Sequence, residues 1–272
     1  MNVITYSIVI LLTPFLATTL GSALVYLFRK KISNRLNQLF NGFAAGVMLA
    51  AAIFGLIIPS MESEVTYMPP ILVAVIGFLL GIGLLLLIDK LVPHMHAQTK
   101  LEEGVKTAKL SRANKMFLAV TIHNIPEGLS VGVALGVALA NFNADPNLEL
   151  FTAISGALMI SIGIAIQNVP EGAAIALPLK ETTNSSHKAF LYGTFSGLVE
   201  PLSALIGVFL AYYISYLMPW ALSFAGGCMI YVIIDDLIPN ASSNDENKNS
   251  HIGLLSFVVG FVIMMILEAT LG

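Results

Sequence analysis

Charge is scarce in this chain, and cysteine is nearly absent. Only 11% of its 272 residues are Asp, Glu, Lys or Arg, against about 25% in an ordinary soluble domain. That deficit, with 57% hydrophobic residues and a mean hydropathy of +0.85, excludes a soluble domain. It predicts an all-α polytopic membrane protein whose core is its lipid-embedded bundle. The single cysteine, Cys228, lies in an apolar run, which excludes an internal disulfide and a Cys-rich metal site. A net charge of −3 argues against an acidic partner such as nucleic acid. The first apolar stretch lacks a basic n-region and a small-residue cleavage pattern, so it reads as a retained span and not as a signal peptide.

What the chain does contain is long apolar runs. A membrane span needs about 20 mostly apolar residues. By that measure eight spans fit, at roughly 5–28, 38–59, 70–92, 116–140, 151–179, 188–214, 218–238 and 252–271, forming one transmembrane domain over 1–272. Two connections are longer than the rest: a polar one at 93–115 with mixed charge, and an Asn/Ser-rich one at 239–251. The loops at 60–69, 141–150 and 215–217 have no lysine or arginine; all 13 basic residues fall on the opposite side. The positive-inside rule makes that basic side cytoplasmic and both termini extracytoplasmic. Tyr192, Tyr212, Tyr213 and Trp220 read as interfacial anchors, and Glu268, near the outer end of span 8, as interfacial too.

Inside the spans one phrase occurs twice: His-Asn-Ile-Pro-Glu-Gly at 123–128 and Gln-Asn-Val-Pro-Glu-Gly at 167–172. In each, a polar residue and a glutamate stand four apart, on one helical face. Glu127 lies 12 residues after Lys115, Glu171 lies 9 before Lys180, and Glu200 lies 12 after Lys188. At 1.5 Å per residue those depths are about 18, 14 and 18 Å from the cytoplasmic markers, in a hydrocarbon core about 30 Å thick. Three carboxylates therefore come level near the midplane, from three consecutive spans. No lysine or arginine lies at that depth to pair with them, so a divalent cation is the simplest compensation. His123, Asn124, Gln167 and Asn168 supply one imidazole and amide oxygens, a donor set for Zn2+, Fe2+, Mn2+ or Co2+. Met48, 13 residues after Arg35, reaches similar depth in span 2. Pro126 and Pro170 each free a carbonyl four residues back, which predicts interrupted helices lining a cavity.

Two rival functions fit less well. An intramembrane metallohydrolase of the helix-borne kind uses two histidines at i, i+4, and the second phrase has Gln167 where a histidine is needed. A cation channel can be built from carboxylate rings, but an imidazole and amides at two proline-marked positions suit a site that holds and then releases an ion. Asp89, His94 and His96 after span 3, and Asp235 and Asp236 at the end of span 7, form a second polar group on the cytoplasmic side. They are candidates for an exit path.

At these residues the chain resembles the ZIP (Zrt/Irt-like) family of divalent metal transporters, most closely its GufA-like bacterial branch. The resemblance rests on the two Pro-Glu-Gly phrases, Ser-Gly-Leu-Val-Glu-Pro at 196–201 and Ala-Ala-Gly-Val-Met-Leu-Ala at 44–50, within eight spans. It implies transport of zinc, with Fe2+, Mn2+, Co2+ and Cd2+ open, across a bacterial plasma membrane into the cytoplasm. It further implies a binuclear centre, with His123, Glu127, Gln167 and Glu171 at the main site and Met48 adjoining. Asn124, Asn168 and Glu200 would make the second site, with Glu127 and Glu171 bridging. Asn168 is a departure, because some relatives have aspartate there. A homodimer and an elevator-like movement of spans 1, 4, 5 and 6 against spans 2, 3, 7 and 8 are also what the resemblance implies.

Overall fold

The computed structural model of the protein describes residues 2–27, 33–63, 67–95, 102–104, 110–213, 215–242 and 251–271. His96 lies outside them. Eight helical stretches are long and apolar enough to cross a membrane: Val3–Tyr26, Asn34–Glu62, Pro70–Leu91, Arg112–Ala144, Leu150–Thr183, Ser186–Tyr212, Met218–Ser242 and Ile252–Thr270. They coincide with the eight expected spans. Several run a turn further, because Ser33, Ser111 and Ser185 cap the starts of spans 2, 4 and 6, accepting from the amides of Leu36, Asn114 and Lys188. Spans 5 and 6 are joined by a tight turn in which Asn184 adopts a left-handed conformation (φ 51°). The polar connection after span 3 is not wholly irregular: β1 (His94–Met95) pairs antiparallel with β2 (Glu102–Glu103).

The spans sort into two groups by how they pack. Span 1 lies mainly on span 5 and span 4 on span 6, with spans 4 and 5 in contact; span 2 lies mainly on span 8 and span 3 on span 7, with span 7 against span 2. Within each group glycines let backbones touch. A Cβ on Gly132 would overlap the Ala204 carbonyl of span 6, and one on Gly46 would overlap the Phe257 carbonyl of span 8. Between the groups the contact has another character. A Cβ on Gly163 of span 5 would meet the Sδ of Met264, and one on Gly55 of span 2 would meet the Cδ1 of Ile160, each the mobile end of a side chain. Leu79, Leu80 and Leu87 of span 3 and Leu254, Leu255 and Val259 of span 8 are exposed apolar residues, the surface a bilayer covers.

The spans are not uniform helices. Span 2 passes through a π-helical stretch at Ala51–Ile57, just after Met48, and span 7 through another at Ile233–Leu237. π-helical turns concentrate at functional sites because they re-aim side chains at the cost of regular bonding. Spans 4 and 5 overturn one expectation. Both are continuous helices through Pro126 and Pro170, since packing by neighbouring spans tolerates the missing bond. The interruption falls in span 6, where Leu198 separates helix Ser186–Gly197 from helix Val199–Tyr213. Pro201 cannot donate to the turn before it, so the helix restarts with Glu200 in its first turn.

Candidate metal centre

The two phrases face each other. Glu127 and Gln167 are fully buried, and Asn124, Asn168 and Glu200 are 1% exposed. His123 Nε2 lies 3.9 Å from Glu127 Oε1 and 3.6 Å from Glu171 Oε1. One donor atom from each of His123, Glu127 and Glu171 falls within 4.8 Å of the others. Gln167 joins them by donating from Nε2 to Glu127 Oε1 at 2.7 Å. That bond engages the amide nitrogen and leaves its oxygen. Glu127 Oε2, Gln167 Oε1 and Glu171 Oε2 are buried acceptor atoms that receive no hydrogen bond. A buried oxygen without a donor is costly. Three beside one imidazole make a hard-to-borderline donor set that a divalent cation satisfies.

Span 6 adds Glu200 from a second side. Asn168 donates to Glu200 Oε2 at 3.1 Å, and Asn124 donates to the Ser196 carbonyl at 3.2 Å. Thr18 of span 1 completes this side: its hydroxyl donates to Glu200 Oε1 at 2.6 Å and accepts from Asn168 at 3.0 Å. Thr18 does not stand out in the sequence. Its only signal was a hydroxyl in mid-span, four residues after Pro14, and such hydroxyls commonly serve their own helix.

The family profile of the ZIP zinc transporters matches residues 112–268, the stretch that carries all three glutamates. The chain belongs to the ZIP zinc transporter family. Zinc transporter ZIPB of Bordetella bronchiseptica is 35% identical over 95% of this chain and 79% of its own length. Zinc transporter GufA of Myxococcus xanthus is also 35% identical, over 94% and 95%. Human zinc transporter ZIP11 is 31% identical over 94% of each chain. ZIP proteins are transporters and not enzymes, so the hydrolase reading falls away. An eight-span ZIP chain is a multi-pass membrane protein.

The remaining candidates fall in several places in this ZIP chain. Asp236 lies deeper than the end of span 7 suggests: its Oδ2 is 3.7 Å from His123 Nδ1, and Asn240 donates to its Oδ1 at 2.8 Å. The π-helical turn carries both Asp235 and Asp236, with Asp235 exposed. Asp89 and His94 form a separate pair, 3.6 Å apart, with Tyr231 of span 7 donating to Asp89. Met48 is fully buried, in the same apolar cluster as Ile122 and Ile164. It stands in the core around the two phrases. Glu268 differs from its interfacial reading. Its Oε1 is buried without a hydrogen bond and lies 3.1 Å from where a Cβ on Gly55 would sit.

Proposed function

We propose that this chain carries Zn2+ across the membrane into the cytoplasm, binding it at His123, Glu127, Gln167 and Glu171. The observation that carries this reading is the set of three buried acceptor oxygens without donors beside the His123 imidazole. The relatives' names support zinc as the cargo. Fe2+, Mn2+, Co2+ and Cd2+ suit the same donors, since selectivity among divalent metals turns on geometry more than on ligand type. Of the two ion positions implied by the resemblance, the one at these four residues carries the proposal.

The eight spans act as one transmembrane domain, in a bacterial plasma membrane with both termini outside. The ion waits near the midplane, and access alternates as spans 1, 4, 5 and 6 slide against spans 2, 3, 7 and 8. Backbone-to-backbone glycine contacts within each group support two rigid bodies. Side-chain ends at Gly163 and Gly55 support an interface able to shear. Inward release runs from His123 to Asp236, which its Nδ1 already approaches, and on past Asp89 and His94; Asp235, and His96 beyond the described residues, complete that path. The homodimer belongs to the same proposal.

Uptake of Zn2+ into proteoliposomes tests it. Glu127→Ala and Glu171→Ala each abolish saturable uptake while the protein still inserts. Saturable uptake at the wild-type rate in either variant refutes the site. Non-saturating flux of monovalent cations through the wild-type protein favours a channel instead.

A further inference from the structure

Glu200 is the carboxylate of the midplane group that the four-residue centre leaves out, and its surroundings differ from those of Glu127 and Glu171. Each of the latter has a buried oxygen with no donor. Glu200 has none: Thr18 donates to Oε1 at 2.6 Å and Asn168 to Oε2 at 3.1 Å. Asn168 Nδ2 carries two hydrogens, and they go to Glu200 and to Thr18 Oγ1. Turning the amide over would set its oxygen against the Glu200 carboxylate, so the two acceptors fix its orientation. The amide oxygen then faces Gln167, whose Nε2 lies 3.5 Å away. Thr18, Asn168 and Glu200 thus form a closed triad in which each member is 3% exposed or less. The Thr18 hydroxyl has a second acceptor, the Pro14 carbonyl, only at 3.2 Å.

We infer that Thr18 is a positioning residue that holds Glu200 and Asn168 in this triad, so that the transport site carries one divalent ion per protomer. The inference rests on the proposed centre at His123, Glu127, Gln167 and Glu171. The physical reason is the neutral amide at position 168. Two carboxylates side by side need a cation between them, whereas a carboxylate beside an amide and a hydroxyl is satisfied by their hydrogens. An ion at the second position would have to take the Asn168 oxygen, which turns the amide hydrogens away from both acceptors. Thr18 comes from span 1, so it also ties that span to spans 5 and 6 beside the ion.

Equilibrium binding of Zn2+ to the full chain in nanodiscs, read with uptake kinetics, tests the inference. Wild type binds one ion per protomer. Asn168→Asp, which restores a carboxylate beside Glu200, binds two. Through Asn168, whose oxygen faces the ligand Gln167, Thr18→Val raises the KM for Zn2+ about tenfold with kcat within about twofold, the lower end of the scale for disturbing an outer partner of a metal ligand, and Thr18→Ser restores the wild-type KM. Two ions per protomer in the wild type, or a Thr18→Val protein with wild-type KM, overturns it; should Thr18→Val fail to fold, the counts for wild type and Asn168→Asp still decide. Glu171→Gln, measured alongside, separates the two readings. Loss of the single ion there upholds the centre on which the triad depends, and its retention overturns that centre and this inference with it.

Discussion

His123 does more at the centre than sequence spacing revealed. Spacing put it one turn from Glu127. The fold turns its two ring nitrogens to different partners, Nε2 toward Glu127 and Glu171 and Nδ1 toward Asp236. One imidazole therefore faces both the proposed ion position and Asp236, the first group of the proposed exit path. His123→Ala should lower Zn2+ affinity by more than the roughly 10–100-fold typical of losing an outer partner, whereas Asp236→Asn should slow release and spare binding. Isothermal titration for the first and single-turnover efflux for the second check the pair. Most of the site was legible because intramembrane carboxylates without lysine or arginine partners are so costly that few explanations survive. Thr18 and the inward turn of Glu268 were not legible. A lone hydroxyl or a lone glutamate on a span has no partner in its own sequence neighbourhood, and only tertiary packing supplies one.

Among the helices, the count and the level of the spans were readable, and the irregularities were not. Eight apolar runs, with the basic residues in or beside alternate connections, mark helices long enough to cross once each. Prolines suggested breaks in spans 4 and 5, yet both are continuous, and the break sits at Leu198 before Pro201. Whether a proline interrupts a helix depends on what neighbouring spans pack against the lost bond, which is a tertiary matter. The π-helical turns in spans 2 and 7 left no periodic trace in runs that are apolar on most sides. Glycine spacing allowed close approach without saying between which spans. A contrast tests the two kinds of contact. Gly132→Ala pushes a Cβ into the Ala204 carbonyl and should destabilise by about 1–3 kcal/mol. Gly163→Ala meets the movable end of Met264, with Val47 Cγ1 at ordinary contact distance, and should melt close to wild type. Thermal melts in detergent compare the two, and equal losses would argue against rigid pairing within the groups.

For the whole molecule, charge placement was the most informative signal. All 13 basic residues fall in or beside alternate connections, which predicts a direction of insertion as well as a span count. In a Cys228→Ala background, Lys188→Cys should react with an impermeant thiol reagent only from the cytoplasmic side, and Asn147→Cys only from outside; both positions are exposed. The reverse pattern would invert the proposed direction of transport. The grouping of the spans by packing is a fact that no single span encodes, because it depends on which small residues meet across the bundle.

At the proposed centre Zn2+ should bind one imidazole and the oxygens of two facing Pro-Glu-Gly phrases. Zinc K-edge X-ray absorption on the full chain loaded with one equivalent of Zn2+ tests it most directly. The expected spectrum has one imidazole among oxygen neighbours at about 2.0–2.2 Å, with the imidazole signal lost in His123→Ala. A spectrum without imidazole, or one that His123→Ala leaves unchanged, would contradict it.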